Sequence, residues 1–450
     1  KKYTMKKFFE TLSNIWKIEE LKGRILVTLG LLLVYRFGAQ IALPGIDTAQ
    51  LGALSSGTEN GIFGILNAFT GGAFAKASVF ALGIMPYISA SIVVQLMGIA
   101  IPYLQKLQKE GESGRKTINQ ITRWLTIGIC ILQAPTYLLG LSQFGVPDSA
   151  FLLGKGLDFM VPAVIILVTG TVFAMWLGEK ITDKGIGNGI SLLIMVGIIA
   201  TLPQSFAQEA ISRWNGTGGP MLVLIEVIIW FVVILLSVLL VMATRQIPVQ
   251  YARRSASGGY EKDAMGTRQY IPLKLNASGV MPIIFAQAIM FAPGLIGQTF
   301  NETAWGQWLE VQFQDIFGLA YNLLFAFLII VFTYFYTAIT VPTNKMADDL
   351  KRSGGFIPGI RPGAETGDFL DKIMSLITLP GSVFLALLAV LPAIVVKLMD
   401  VQAGWAMFYG GTSLLIMVGV AIDTVQQVNS YLLNRHYDGL MKTGKNRKVA

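Results

Sequence analysis

Charge, cysteine and histidine are all scarce in this sequence. Only 14% of its 450 residues are charged, 53% are hydrophobic, and the mean hydropathy is +0.60. Because a soluble domain carries about 25% charged residues, this composition excludes a soluble globular protein and indicates a polytopic membrane protein. The single cysteine, Cys130, excludes an intrachain disulfide, and the single histidine, His436, excludes a metal site built from several histidines.

The motifs of common enzymes are also missing. The sequence contains no HExxH, GxSxG or Walker A motif, so we predict neither a catalytic site nor a cofactor. The run GIGNGI at 185–190 resembles a phosphate loop but lacks its full spacing, and the alternative is a tight turn that caps the next helix. Charged residues within the apolar segments are nearly limited to Arg36 and Glu226, whereas a coupled carrier would need more.

The sequence does contain ten apolar segments that can cross a membrane, for which a helix needs about 20 residues. They lie at 25–43, 77–101, 121–141, 157–177, 186–206, 220–243, 275–299, 317–341, 373–395 and 405–428. The first segment is long enough to span and follows a polar, basic stretch, which predicts no cleavable signal peptide. We therefore predict an all-α polytopic membrane protein with ten transmembrane helices.

Lysine and arginine are distributed very unevenly between the two sides of this arrangement. Thirty of the 35 fall in the termini and in alternate loops, if Arg123 at the start of the third segment is counted with the loop before it, and Arg36 lies within the first segment. The opposite loops hold only Lys76, Lys155, Arg213 and Lys397. Because positively charged loops stay in the cytoplasm, both termini are predicted to be cytoplasmic. The net charge of +9 is therefore concentrated on the face where anionic lipid favours it.

The ten segments divide into two sets of five across the polar link 208–219. An odd number per set inverts the second set relative to the first, as in inverted-repeat membrane proteins. We predict a cytoplasmic N-terminal segment 1–24, an N-terminal half 25–207, a C-terminal half 220–428 and a cytoplasmic tail 429–450. Two loops of the C-terminal half, 244–274 and 344–372, are about 30 residues long. Their clustered arginines suit an acidic partner or a phosphate backbone, and the alternative is plain solvated loops.

A short apolar piece, Gly61 to Ala75, precedes the second segment. It has 15 residues, four of them glycine, and is too short to cross a membrane. A half-length segment beside a full one is typical of a chain that enters the membrane and turns back, which requires surrounding protein or a water-filled cavity. Ile84 and Ile88 flank Pro86 on one helix face. The piece is thus either the stopper of a pore or a loop helix before an ordinary packed span.

Seven runs together resemble one family, the SecY protein-conducting channels of the bacterial secretory pathway. The runs are PGID (44–47), NAFTGGAF (67–74), FALGIMPYISASIVVQL (80–96), KEGESGRK (109–116), GTVFAMWLGEKITDKGIGNGIS (170–191), ADDLKRSGGFIPGIRPG (347–363) and FYGGTSLLI (408–416). They extend from the first span to the last in the family's order. The resemblance implies an hourglass pore between two five-span halves, hinged at the external link 208–219.

The resemblance also implies roles for individual residues. The apolar pore ring falls on Ile84, Ile88, Ile190, Ile194, Ile284 and Ile416. The plug falls at about 61–74 and includes Gly61, Ile62, Phe63, Leu66, Asn67, Phe69, Thr70, Gly71 and Gly72. Gln95 and Asn276 are the expected polar residues of a lateral gate, and the alternative for each is an interhelical hydrogen bond worth about 1 kcal/mol.

The two long loops resemble the family's docking loops for the ribosome and the SecA motor ATPase. The expected docking residues are Arg253, Arg254, Lys351, Arg352 and Arg361. The tip of the first loop departs from the family pattern, because acidic Glu261 and Asp263 stand where a further arginine pair is common. The SecE and SecG membrane subunits, signal peptides, unfolded substrates and the lipid bilayer are the other expected partners, with no direct binding of DNA.

Taken together, the sequence predicts a passive channel in the bacterial cytoplasmic membrane. It threads unfolded polypeptide across the bilayer and releases hydrophobic segments sideways into lipid. Without a nucleotide site, its driving force must come from a partner or from the membrane potential. The alternative is an inverted-repeat secondary transporter of a small solute, against which the scarcity of embedded charge argues.

Overall fold

The computed structural model describes residues 18–51, 62–143, 146–152, 154, 156–216, 219–251, 269–300 and 303–445. Its helices are α1 (Glu19–Gly38), α2 (Ile62–Thr70), α3 (Met85–Ala100), α4 (Pro102–Lys109), α5 (Glu112–Gln143), α6 (Leu157–Lys184), α7 (Gly189–Asn215), α8 (Gly219–Met242), α9 (Met281–Thr299), α10 (Ala304–Gln314), α11 (Leu319–Thr340), α12 (Thr343–Arg352), α13 (Ala364–Met399), α14 (Ala403–Ala406) and α15 (Gly411–Lys445). Three strands, β1 (Thr244–Tyr251), β2 (Gln269–Lys274) and β3 (Gly355–Phe356), complete the fold.

The chain forms two units. Unit 1 comprises Lys1–Pro220, Gln402–Trp405 and Ile416–Ala450, and unit 2 comprises Met221–Val401 and Ala406–Leu415. Most of unit 1 therefore comes from the first half of the sequence, with the larger parts of α14 and α15 added from the end of the chain.

Each of the ten predicted spans overlaps a helix in this structure. Among the described residues, seven helices are long and apolar enough to cross a membrane, and α3 with α4 is an eighth candidate if the pair forms one span. The seven are α5, α6, α7, α8, α11, α13 and α15. Helix α1 falls outside this set because charged residues lie at both of its ends. Helix α9 falls outside it because its apolar part, Met281–Met290, is too short to cross a membrane. The full count of ten thus stays a prediction.

The predicted second span is shorter than expected and ends in a sharp bend. Helix α3 stops at Ala100, and α4 leaves it at an angle of 102°. Ile101 between them is extended, with φ −100° and ψ 116°. Pro102 favours this bend, since the ring of a proline disfavours the helical conformation at the preceding residue.

Several helices continue beyond the apolar segments that define them. Helix α5 begins at Glu112, α13 begins at Ala364, and α15 continues to Lys445. Part of the predicted loop 344–372 and most of the predicted tail 429–450 are therefore helical. Hydropathy marks where a helix can contact lipid, whereas the helix itself ends where capping and propensity end it.

The two long loops meet in a small antiparallel sheet that the all-α prediction did not include. The strand order is β2-β1-β3. Strand β1 pairs with β2 from Thr244↔Lys274 to Val249↔Gln269, and its last two residues pair with β3. Ile247 and Val249 alternate with exposed residues along β1, the period expected of a strand with one buried face.

The sheet, α12 and the start of α13 share one apolar core, and we call this assembly the loop module. Its buried side chains come from both loops: Ile247, Val249, Leu273, Leu350, Ile357, Leu370 and Met374. Gly355 allows the chain to pass closely, because a Cβ there would lie 2.9 Å from both Leu350 and Tyr251. The loops are therefore a folded element of unit 2 within the described residues.

Truncating Leu350 tests this core. We expect Leu350→Ala to destabilise the loop module by about 2 to 5 kcal/mol, because it leaves a cavity where a buried side chain packs. Hydrogen exchange at the backbone amides of β1 should accelerate correspondingly. Lys345→Ala, on the exposed surface of the same helix, is the matched control, and unchanged exchange in both variants would contradict the shared core.

Candidate functional site

The short helix α2 and the irregular segment 71–84 that follows it lie in unit 1. Gly61 lies outside the described residues, and the side chains of Ile62 and Phe63 are also outside them. Of the other predicted plug residues, Leu66, Asn67 and Gly72 are half-buried, whereas Phe69, Thr70 and Gly71 are buried. Helix α2 packs against α7, and segment 71–84 continues as turns until α3 begins.

Arg36 of α1 holds the end of this short helix. Its Nη1 atom donates a hydrogen bond to the backbone oxygen of Gly71, at 3.0 Å. Because α2 ends at Thr70, the guanidinium lies where helix carbonyls lack intrahelical partners and the helix dipole is negative. A hydrogen bond to a charged group contributes about 1.5 to 3 kcal/mol. Arg36, a charged residue within an apolar segment, therefore has a hydrogen-bond partner in the fold.

Polar side chains within α2 satisfy the backbone of the following turn. Asn67 Oδ1 accepts a hydrogen bond from the Ala75 amide at 3.0 Å, and Thr70 Oγ1 accepts one from the Phe74 amide at 3.1 Å. The turn is also held from α5, where the Tyr137 hydroxyl donates to the Phe74 oxygen at 2.9 Å. The ring of Tyr137 meets that of Phe74 edge-on, with 4.9 Å between the centroids.

Two glycines set the distance between this turn and α7. Gly71 has φ +66°, a conformation that favours glycine, and a Cβ on it would lie 2.8 Å from the Gly197 Cα. A Cβ on Gly197 would lie 2.6 Å from the Phe69 oxygen. Backbone therefore packs directly on backbone here, which leaves no room for a side chain at either position.

The predicted pore-ring isoleucines occupy defined positions on four helices. Ile84 is the N-cap residue of α3 and follows Gly83, which has φ +56°, and Ile88 is one turn further along. Ile84, Ile88, Ile194, Ile284 and Ile416 are buried, and Ile190 is half-buried. Five of the six belong to unit 1, and Ile284 of α9 belongs to unit 2. That they form one ring stays a prediction.

The run GIGNGI is a helix-capping turn. The Asn188 side chain accepts hydrogen bonds from the amides of Ile190 at 3.1 Å and Ser191 at 3.4 Å, which caps α7. Gly187 has φ +80°, and its amide bonds to Gln427 Oε1 at 2.9 Å. This confirms the alternative that we gave for the run.

The two predicted gate residues make local hydrogen bonds. Gln95 Nε2 donates to Ser91 Oγ, one turn earlier on α3, at 3.1 Å. Asn276 is buried, and its Oδ1 accepts a hydrogen bond from Ser278 Oγ at 3.1 Å. Bonds of this kind stabilise each residue within its own segment. Their role in a lateral gate stays a prediction.

The predicted docking residues that the structure describes lie on the surface of the loop module. Lys351 and Arg352 are exposed in the last turn of α12, and Arg361 is exposed between β3 and α13. The Arg361 side chain is 88% exposed, and its Nη1 lies 3.7 Å from Glu365 Oε1. Arg253 and Arg254 lie outside the described residues.

Sequence patterns missed the partners of Arg36 and the role of Tyr137. Their only signals were an arginine within an apolar segment and a tyrosine within another, and neither indicates a partner far away in the chain. A metal centre has no support in the part of the chain that the structure describes, where no group of three or more His, Cys, Asp or Glu could hold an ion.

The described helices, with their turn-back segment 62–84, have the fold of known protein-conducting channels. A solved protein conducting channel matches with a TM-score of 0.59, 17% identity and coverage of 91% of this chain and 92% of that one. Sec61 in a canine ribosome-channel complex from the endoplasmic reticulum matches with a TM-score of 0.54 and 17% identity, over the same shares of each chain. The class is therefore a multi-pass membrane protein of the channel fold.

Sequence comparison identifies the family. The SecY family model matches residues 78–425. Protein translocase subunit SecY of Streptomyces coelicolor (strain ATCC BAA-471 / A3(2) / M145) is 40% identical over 451 residues, covering 96% of this chain and 99% of that protein. The subunit from Haemophilus influenzae (strain ATCC 51907 / DSM 11121 / KW20 / Rd) is 40% identical and covers 94% of each chain. The chain belongs to the SecY family, so the small-solute transporter is not favoured.

Replacing Arg36 tests its hold on α2. We expect Arg36→Gln to weaken the hydrogen bond to the Gly71 oxygen. A loss of about 1.5 to 3 kcal/mol of stabilisation corresponds to a roughly 10- to 100-fold larger population in which α2 is detached. The measurement is the maleimide-labelling rate of Ala68→Cys in membranes, where the native Cys130 is buried. Lys106→Gln, which removes an exposed cation of α4 away from this turn, should leave the rate unchanged. Equal rates in both variants would refute the anchor.

Proposed function

We propose that this chain is the central channel subunit of a bacterial Sec translocon. In this role it passively conducts unfolded polypeptides across the cytoplasmic membrane and releases transmembrane segments laterally into lipid. The observation that carries the proposal is the anchored half-length helix α2 with its irregular turn, because such backbone in a membrane protein is tolerated only beside protein or a water-filled cavity. Membership of the SecY family supports the same function.

The six isoleucines supply the seal in this proposal. Ile84, Ile88, Ile190, Ile194, Ile284 and Ile416 form an apolar constriction that excludes water, and hence ions, when it is empty. β-branched side chains have few rotamers, which keeps the constriction narrow, and they carry no groups that would bind a passing peptide. The segment 61–74 is the plug that covers it.

The plug must be displaceable, and its bonds are suited to this. Asn67 and Thr70 bond to the backbone of their own segment and move with it. From other helices, Tyr137 contributes one neutral hydrogen bond to the segment and Arg36 adds a charged one. A typical net contribution is about 0.5 to 1.5 kcal/mol per neutral bond. An incoming chain with an apolar signal segment can offset a few such bonds. Gln95 and Asn276 belong to a lateral gate in this proposal, where polar contacts of similarly modest energy can be broken when the gate opens.

Energy for transport comes from outside the chain in this proposal. The partners are the SecA motor ATPase, the ribosome and the small membrane subunits SecE and SecG, with the membrane potential as a further source. A related channel, Sec61, occurs in a ribosome-channel complex. Both termini lie in the cytoplasm of the proposed topology, on the side of the loop module and its cations.

Cysteine crosslinking tests the pore ring. We expect cysteines introduced by Ile84→Cys and by Ile284→Cys to crosslink to a cysteine in a stalled translocating chain, because both positions belong to the proposed constriction. The measurement is the yield of the crosslinked product in vesicles. Leu235→Cys is the control, since Leu235 is an exposed side chain of α8 that faces lipid in a membrane.

The outcome separates the channel from the remaining explanations. Failure of both ring positions, with other pore positions succeeding, would show that the constriction lies elsewhere. Uptake of a small solute down an ion gradient, without any movement of a secretory precursor, would contradict the channel function itself.

Reversing the charge of Arg361 tests docking. We expect Arg361→Glu to reduce SecA-driven translocation of a precursor by about tenfold or more, because an exposed arginine suits a bidentate contact with an acidic partner. The fold should not change, since exposed ion pairs such as Arg361–Glu365 contribute only about 0 to 1 kcal/mol. Glu365→Gln removes the same ion pair and serves as the control. A matching loss in that variant would assign the effect to the ion pair.

A further inference from the structure

A groove of about 400 Å³ lies in unit 2 outside the proposed pore and plug. It is formed where α8 passes into β1, where β2 passes towards α9, and along the first turns of the apolar part of α13. Its lining residues are Ala243, Thr244, Arg245, Leu275, Ile373, Leu376, Ile377 and Pro380. The last four share one face of α13, with spacings of three and four residues.

These residues coincide with three predicted membrane boundaries. The sixth apolar segment ends at 243, the seventh begins at 275 and the ninth begins at 373. Three boundaries that meet in one groove place it at the level where lipid tails give way to headgroups. All three boundaries lie on the cytoplasmic side of the predicted topology, where anionic lipid attracts basic residues.

The lining of the groove combines apolar side chains with two polar ones. Ala243, Leu275 and the α13 residues are apolar, whereas Thr244 and Arg245 supply a hydroxyl and a guanidinium directly after the last apolar residue of α8. The side chain of Arg245 is exposed, and among the described residues it forms no ion pair or hydrogen bond. A guanidinium fork matches the geometry of a phosphate group and binds it through two parallel hydrogen bonds.

The groove is also open towards the exposed apolar surface of α13. Leu376 lines the groove and is 66% exposed, and Leu379 and Val383 continue the exposed apolar surface along α13. A chain that lies in the groove can therefore continue into the hydrocarbon region without crossing polar surface. This shape fits a molecule with an anionic head and a long apolar tail.

We propose that this groove is a binding site for an anionic phospholipid. One acyl chain lies against Leu275, Ile373, Ile377 and Pro380, and the phosphate pairs with Arg245 and Thr244. The site is independent of the pore and plug, so it can fail while the proposed function holds. Bound lipid would fix the junction between the apolar part of α13 and the loop module.

Native mass spectrometry of the purified complex tests the site. The protein, with the membrane subunits that co-purify, is released from nanodiscs that contain either phosphatidylglycerol or phosphatidylcholine. We expect retained phosphatidylglycerol to exceed phosphatidylcholine, and Arg245→Gln to reduce retained phosphatidylglycerol about tenfold. Lys345→Gln removes an exposed cation of α12 outside the groove and should have no effect.

A second variant tests the apolar part without changing charge. Ile377→Trp fills the groove and should reduce lipid retention, whereas Leu387→Trp, at an exposed position further along α13, should not. Because Arg245 is exposed, Arg245→Gln is compatible with the fold even if the tryptophan variant misfolds.

Four results would overturn the proposal. Retention that is unchanged in Arg245→Gln, or equal for the two lipids, would remove the headgroup contact. Displacement of the lipid by inorganic phosphate alone would show that the acyl chain does not matter. Crosslinking of a photoreactive residue at 377 to a protein subunit, with no lipid adduct, would assign the groove to that subunit.

Discussion

Backbone hydrogen bonding in a medium without water is the constraint on which unit 1 depends. A membrane-spanning chain can depart from the helix only where protein groups replace the lost backbone partners. Segment 71–84 is such a departure, and side chains from three helices serve its backbone: Arg36, Asn67, Thr70 and Tyr137. Two backbone bonds add to these, from Leu43 N to Ala77 O and from Val79 N to Ile41 O, each 2.9 Å long. The buried cluster of α5 and α6 residues packs against the same turn.

Such a turn combines fixed position with limited binding energy. The contact between Gly71 and Gly197 tolerates no added side chain, so the place of the turn is defined by shape. Its hydrogen bonds are few, and each contributes modestly because an opened segment recovers partners elsewhere. In the proposed function α2 is the plug and leaves this position during transport, which this combination would allow.

Hydropathy and charge predicted the helical segments well, because burial in lipid imposes a length and a composition that are visible in sequence. The partner of Arg36 was not predictable, because its distance to Gly71 depends on the irregular turn between α2 and α3. The sheet was missed for a related reason. Strand β3 has only two residues, and β1 acquires its buried face only when α12 and α13 cover it. The start of α3 after Ile84, with Pro86 in its first turn, and the bend at Pro102 are both typical of the backbone around a proline.

The described parts of the two long loops fold together in the loop module. A docking surface that is already ordered avoids the entropy cost of ordering side chains and backbone on binding. Helix α13 also extends from Ala364 in the loop module to Met399 without interruption. In the proposed docking role of Arg361, a bound partner would act on a residue directly before a spanning helix. Because Arg361 and α13 are separated by only two residues, we expect a displacement at Arg361 to reach the apolar part of α13.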